Sequence, residues 1–396
     1  MALFVMGRFS GVAVLALICM ASQSPISAGD DDDDTPEPRK CKIPDLSLGS
    51  WVYDQYFPYY DTPECPFIQK QFRCDTNGRP DKEYSKYKWQ PFGCKMDSFY
   101  GAEFREILKG KKMMFVGDSL SNNQWQSLTC MLHVLHLESD AAANYTLNRV
   151  GEVSNFTLTT YNASIFYHRR MFLVDLDKEN GERILKLDSI SEGPKWKEMD
   201  FLIFDTWHWW LHTGRKQAWD WVREGNVTYK DGDRVVLYTK ALKTWAKWVD
   251  SEVDTKKTKV FFQGVSPDHW QDGVNGSRPK TCIGEKLPNT KEGCTLPAEE
   301  VLEGVLKNMT KLVYLLDITK LSQIRPDGHP SVYGVGGHSS PDCTHWCLPG
   351  VPDAWNQLLY SAITEILAEK NGIIIYRRTF PALFFTILYT LFSLWW

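Results

Sequence analysis

Hydrophobic positions fall into two rhythms along this chain. Apolar-rich runs of strand length occur at Lys112 to Val116, Ser164 to Val174, Phe201 to Asp205, Lys259 to Val265 and Val313 to Ile318. The segments Ser121 to Leu137, Leu237 to Val253, Ala298 to Thr310 and Pro352 to Glu369 carry apolar residues at helical spacing. Strands alternating with helices predict a largely parallel sheet covered by helices on both faces, because parallel strands need a crossover and are buried on both sides. Reactive groups of such sheets lie beyond the carboxyl ends of the strands. Ser119, Asp205, Pro267 and the loop after Ile318 all fall there.

Other segments lack this alternation. An apolar run from Val12 to Ala21 follows Arg8 and leads to Ile26-Ser27-Ala28. It is short for a membrane span of ~20 residues, so residues 1–28 read as a signal peptide, with a signal anchor as the alternative. Residues 29–40 hold Asp30 to Asp34, Pro36 and Pro38 and read as a solvated acidic linker. Residues 41–95 are rich in aromatics, prolines and cysteines, as in a loop-built, stapled segment laid against an α/β body at 96–370. In the last stretch, 371–396, Thr379 to Trp396 is apolar enough to cover ~27 Å as a helix at 1.5 Å per residue. Arg377 and Arg378 precede it; behind a cleaved signal they would be lumenal, against the positive-inside tendency. The sequence is compatible with membrane attachment through either end.

Candidate chemistry centres on Lys112-Met113-Met114-Phe115-Val116-Gly117-Asp118-Ser119-Leu120-Ser121, which reads as strand, tight turn, helix. Ser119 stands at the helix head, where backbone N–H groups and the positive helix end favour a developing oxyanion. Taken alone it reads more readily as an N-capping serine. A serine nucleophile needs a base, and the base needs an orienting partner. The string Asp342-Cys343-Thr344-His345 supplies both, with an aspartate placed to hold Nδ1 and leave Nε2 to the serine. Ser119, His345 and Asp342 are therefore the candidate triad. A second pair, Asp327 and His329 in Asp327-Gly328-His329-Pro330-Ser331, reads as turn chemistry and a groove wall.

Gly117-Asp118-Ser119-Leu120-Ser121-Asn122-Asn123-Gln124-Trp125 and Asp342-x-x-His345-Trp346-Cys347-Leu348-Pro349-Gly350 resemble strings of the plant trichome birefringence-like proteins. So do Gly49-Ser50-Trp51-Val52-Tyr53-Asp54, Cys65-Pro66-Phe67, Asn77-Gly78-Arg79-Pro80-Asp81, Trp89-Gln90-Pro91 and His208-Trp209-Trp210. The resemblance runs from about Cys41 to Glu369. It implies a PC-esterase domain of the GDSL/SGNH superfamily, a flavodoxin-like three-layer α/β/α sandwich, after a cysteine-rich N-terminal segment that helps line the substrate groove. It also implies polysaccharide O-acetyltransferase activity in the Golgi lumen or membrane, with acetylesterases among the relatives and secretion to the cell wall as an alternative location. The acetyl donor, acetyl-CoA or a derived donor, would be a co-substrate and no cofactor would be bound. Disulfides are implied between Cys41 and Cys94, Cys65 and Cys130, Cys74 and Cys347, and Cys282 and Cys343, leaving Cys294 over.

The buried run Phe201 to Phe204 leads into Asp205-Thr206-Trp207-His208-Trp209-Trp210, read as the floor of a sugar-binding cleft with Trp207, His208, Trp209 and Trp210 as substrate-binding residues. Asp205 stands where many members have Asn, a superfamily oxyanion donor. An ionised aspartate cannot donate, so no catalytic role is assigned to it. His208 reads as a hydrogen-bonded cleft residue. Asn122, where many members have Arg, and Asp205-Thr206-Trp207 resemble the subgroup linked with pectin and powdery mildew resistance more than the xylan-acting members.

Composition narrows the classes further. A net charge of −4 offers no basic stripe for phosphates, so nucleic acid is not expected as a partner. Sixteen tryptophans suggest sugar-stacking surfaces in addition to core. Ten cysteines with six Asn-x-Ser/Thr sequons, at Asn144, Asn155, Asn162, Asn226, Asn275 and Asn308, favour a lumenal, oxidising compartment. A zinc protein is the competing reading, but Cys343-x-x-x-Cys347 lacks a second close ligand pair, and no metal is expected. The expected assembly is a monomer acting on a cell-wall polysaccharide.

Overall fold

A computed structural model describes residues 39–134, 145–271, 280–290 and 293–370. The leader at 1–28, nearly all of the acidic linker, the tail at 371–396, and the sequons Asn144 and Asn275 lie outside the described residues. Among the described residues, no helix is long and apolar enough to cross a membrane.

In chain order the elements are β1 (Gly49–Tyr53), β2 (Tyr87–Pro91), α1 (Gly101–Leu108), β3 (Lys112–Gly117), α2 (Ser119–Val134), β4 (Tyr145–Val150), β5 (Val153–Leu158), β6 (Ala163–Arg169), β7 (Asp175–Glu179), β8 (Glu182–Lys186) and β9 (Phe201–Phe204). There follow β10 (Trp221–Glu224), β11 (Val227–Tyr229), α3 (Arg234–Glu252), β12 (Lys259–Gln263), β13 (Trp270–Gln271), β14 (Lys280–Thr281), α4 (Pro297–Lys307), β15 (Tyr314–Leu316), α5 (Thr319–Gln323) and α6 (Val351–Lys370). The central sheet has seven strands in the order β15-β12-β9-β3-β6-β5-β4. Its first five are parallel, and β5 and β4 close one edge as an antiparallel hairpin.

Alternation along β3 explains the three layers. Met113 and Phe115 point into a core shared with α1, α2 and α6, while Met114 and Val116 point into one shared with α3 and α4. Asp233 caps α3 by accepting from Val236 N at 2.9 Å. This is the SGNH-type α/β/α sandwich.

Two expectations need correction. The strand expected over Ser164 to Val174 ends at Arg169, because its neighbour β3 ends at Gly117 and the ladder closes with the pair Gly117 and Arg169. Leu173 then turns with φ +62°. Sequence periodicity also missed β4 and β5 and a separate four-stranded sheet, β11-β10-β8-β7. Those short strands are half-polar and give little apolar signal.

The N-terminal segment, the antiparallel pair β1 and β2 with its loops, is tied to the body covalently. Disulfides join Cys41 to Cys94, Cys65 to Cys130, Cys74 to Cys347 and Cys282 to Cys343, the four pairs the resemblance implied, and Cys294 lies exposed outside these four. With Cys343 and Cys347 in disulfides, neither offers a thiolate to a metal. Trp51 adds a hydrogen bond from its indole N–H to the Leu321 carbonyl, 2.8 Å.

Candidate active site

Strand β3 ends in a turn that only glycine permits. A Cβ on Gly117 would meet the Asp205 carbonyl at 2.4 Å and the Ser121 hydroxyl at 2.5 Å. The helix cap is taken by Asp118, whose Oδ1 accepts from Leu120 N at 2.8 Å. That leaves the Ser119 hydroxyl free of capping duty. It donates instead to Nε2 of His345 at 2.7 Å, and Nδ1 of His345 donates to Oδ2 of Asp342 at 2.7 Å.

Local geometry keeps this line straight. Asp342 Oδ1 accepts from the backbone N–H groups of Thr344 (3.1 Å) and His345 (3.0 Å), so the Asp-x-x-His spacing folds the loop back on its own carboxylate. Paired backbone hydrogen bonds between Ser331 and Asp342 anchor the loop start. Asn123 of α2 fixes the far side, donating to the Trp346 carbonyl and accepting from Trp346 N at 2.7 Å. The Phe72 ring lies 5.7 Å from the His345 ring, so the N-terminal segment reaches the site.

Electrostatics follow from these contacts. Burial alone would raise Asp342, but its hydrogen bond to His345 and that residue's charge hold it well below the ordinary carboxylate value. Burial opposes protonation of His345, and the bond and charge of Asp342, with Asp118 and Asp268 behind it, outweigh burial and raise it. Both side chains keep about a fifth of their surface in solvent, 21% for Asp342 and 22% for His345.

Asp205 behaves in the opposite sense. It is buried at the end of β9, where burial and the facing Asp118 carboxyl push it well above the carboxylate range. Asp118 accepts from the backbone N–H of Trp207 and His208, and Asp205 Oδ2 accepts from Ser121 N at 3.2 Å. Held above the ordinary carboxylate range, Asp205 ties the β9 loop to the serine turn.

The aromatic cluster is also revised. Trp210 is 0% exposed, packed among Phe172, Trp219 and Tyr238, and Trp207, at 8%, packs on Tyr238. These two indoles are core and not cleft floor. His208 is buried too, and burial, ahead of the influence of His345 and His212, pushes its imidazole down to about 4, so it is neutral. Trp209 is partly exposed and presents its face to the Arg169 guanidinium at 5.6 Å. Among the described residues seven tryptophans are fully buried, so the tryptophan excess mainly builds core. His329, expected on a groove wall, is 1% exposed and lies behind the loop that bears Asp342 and His345. Of the remaining sequons, Asn162, Asn226 and Asn308 are exposed and Asn155 is half-buried on β5.

Sequence reasoning passed over Asp118, Asn123 and Arg169. The usable signal was a run of polar residues, Ser121 to Gln124, in a helix that otherwise reads as buried.

This architecture and serine turn define a class that comparison with known proteins makes specific. Residues 96–362 match a GDSL/SGNH-like acyl-esterase family found in Pmr5 and Cas1p, and residues 39–95 match the PMR5 N-terminal domain. The Arabidopsis thaliana protein trichome birefringence-like 43 is 50% identical over 368 residues, covering 90% of this chain and 97% of that protein. Trichome birefringence-like 41 and 39, also from Arabidopsis thaliana, are 51% and 47% identical, over 81% and 80% of this chain and 90% and 85% of theirs. The chain belongs to the trichome birefringence-like family. Its chemistry is that of an acetyltransferase or esterase of the GDSL-like kind, and its disulfides fit the secretory pathway.

Proposed function

We propose that this protein is an O-acetyltransferase acting on a plant cell-wall polysaccharide, with pectin favoured over xylan or mannan, through a Ser119-His345-Asp342 triad. The reading is carried by the unbroken line of 2.7 Å contacts from Ser119 Oγ through His345 to Asp342. Ser119 Oγ attacks the donor carbonyl, His345 Nε2 takes the hydroxyl proton and returns it to the leaving group, and Ser119 is left acetylated. A sugar hydroxyl then gives its proton to His345 and attacks the acetyl-serine, which restores the free serine. Asp342 holds the imidazole and stabilises its cation. Acetyl-CoA or a derived donor serves as co-substrate, and the Golgi lumen or membrane is the proposed site of action, by a monomer.

An acidic acceptor is supported at the mouth of the site. Strands β6 and β9 lie on opposite sides of β3, so the contact between Arg169, ending β6, and Trp209, after β9, spans the end of β3 that carries the serine turn. Arg170 is occupied by Glu152 and Glu192, whereas the side-chain contacts of Arg169 among the described residues are the Trp209 ring and the Met171 sulfur. A guanidinium beside an indole face suits a uronate ring.

The second reading is an acetylesterase with water as acceptor and the same triad, favoured by the solvent exposure of the site. A third reading, a silent wall-polysaccharide binding protein, has no use for an aligned serine, histidine and aspartate. A well-held hydroxyl reaches effective concentrations on the order of 10⁵ M or more, far above that of water. Saturating pectic oligosaccharide should therefore take most acetyl groups, and Trp209→Ala should return the partition several-fold towards free acetate. Mass counting of acetylated oligosaccharide against acetate tests this. Acetate release independent of acceptor, with net deacetylation of polymer, establishes the esterase.

A further inference from the structure

Behind the catalytic loop, two histidines form a hydrogen-bonded chain that the reaction just described does not use. His329 Nδ1 lies 2.6 Å from the carbonyl oxygen of His345, His329 Nε2 lies 2.6 Å from Nδ1 of His269, and Nε2 of His269 lies 2.8 Å from the carbonyl oxygen of Gln323. Carbonyl oxygens only accept, so each end of the chain requires an N–H. The bond between the rings requires a third. Two neutral imidazoles carry two N–H protons, so the three bonds close only when the pair holds one additional proton.

Resting on the Ser119-His345-Asp342 reading, we propose that His269 and His329 act as one singly protonated positioning unit for the catalytic loop, and that activity falls at alkaline pH when their shared extra proton leaves. Once neutral, the pair must face a lone pair against a carbonyl or another ring nitrogen at under 3 Å. One of the three bonds must then open. The parts so joined are the ones that place the base. His269 N donates to the Cys343 carbonyl at 3.1 Å, and the His329 ring stacks on Trp346 at 4.0 Å, next to His345. Trp346 in turn donates to the Ser266 hydroxyl at 2.9 Å, so the strand-β12 loop, the Pro326–Gly328 turn and the catalytic loop meet at this pair.

The surrounding charges divide the roles. Facing His329 are Asp342 and His345 of the catalytic loop, and Asp268 of the β12 loop precedes His269 in the chain. Arg79 of the N-terminal segment donates to the His329 carbonyl, and the buried ion pair Arg325 and Asp327 lies in the adjoining turn. Burial and the neighbouring His269 hold His329 well below its ordinary value, so His329 is the neutral member. The half-buried His269 carries the charge. Asp268, next to His269 in the chain, is pushed up to about 6, chiefly by desolvation and with a contribution from Asp342.

Two measurements decide the matter. In full-length Ser119→Ala protein, side-chain ¹⁵N–¹H spectra should show three N–H protons on the pair at pH 6 and two above its single titration; two protons at pH 6 overturns the proposal. In active protein, kcat/KM should fall about tenfold per pH unit on the alkaline limb. A glutamine amide can still donate to His329 without a charge, so His269→Gln should stay within about tenfold of wild type at pH 7 and lose that limb. A purely structural role would lower rates and keep the wild-type limb, which also overturns the proposal. Should no acyl donor be turned over, the triad reading fails while the proton count still decides the pair.

Discussion

Two loops meet at Ser119 and are held there by different means. The loop bearing Asp342 and His345 is stapled through Cys343 and Cys347, whereas the loop from Asp205 to Leu211 is held by backbone N–H groups donated to the Asp118 carboxylate. Each carries an aspartate, Asp342 reaching Ser119 through His345 and Asp205 bonded to Ser121 N, and the two are shifted in opposite directions. Asp342 faces an imidazole and is held low; Asp205 faces another carboxyl in a dry site and is held high. The same side chain is thus pushed towards the anion in one loop and towards the neutral acid in the other, and the partner decides which.

The largest test of this contrast is at the triad. Ser119→Ala and His345→Ala should each lower kcat by about 10⁴ or more, Asp342→Asn by about 10³–10⁴, and double substitutions by little beyond the worst single one, because the three act as a unit. Thermal melts should show all of them folded. Wild-type activity in Asp342→Asn would remove that residue from the mechanism.

Breaking the staple should come next in size. Replacing Cys74 and Cys347 together by serine removes a cross-link between residues 273 apart and should cost about 2–5 kcal/mol of stability. Below its melting temperature this variant should still lose activity at least tenfold, because the loop presenting the imidazole is released. Full activity in protein whose Cys343 and Cys347 map as free thiols would show that the staple does not position the base.

The smallest effect is expected at Asp205. Since burial and Asp118 favour the protonated form of Asp205, Asp205→Asn should keep kcat within about threefold at pH 7, in contrast with Asp342→Asn. The sign of its pH dependence follows from linkage. A carboxyl whose folded value is raised binds more protons folded than unfolded between the two values, so stability falls as pH rises through that window. Melting curves across pH 4 to 9 should lose part of this decline in Asp205→Asn; an unchanged slope would place the charge on Asp205.

Much of this site was legible before any coordinates. Gly117 and Ser119 were visible as a turn and helix head because a strand, a glycine and a helical pattern sit within a dozen residues. Asp342 and His345 were visible because their spacing lets a loop close on itself. Such signals are local, set by backbone geometry over a few residues. Packing determined what depends on distant neighbours. Trp207, Trp209 and Trp210 are alike in sequence, yet Phe172, Trp219 and Tyr238 surround one of them while another faces Arg169. The polar residues of α2 are buried because Asn123 finds Trp346, and Gln126 accepts from Gln69 N at 2.6 Å. The protonation of Asp205 and the pairing of His269 with His329 belong to the same category. Burial and charge at a point are sums over whatever the fold brings there, and no stretch of sequence contains that sum.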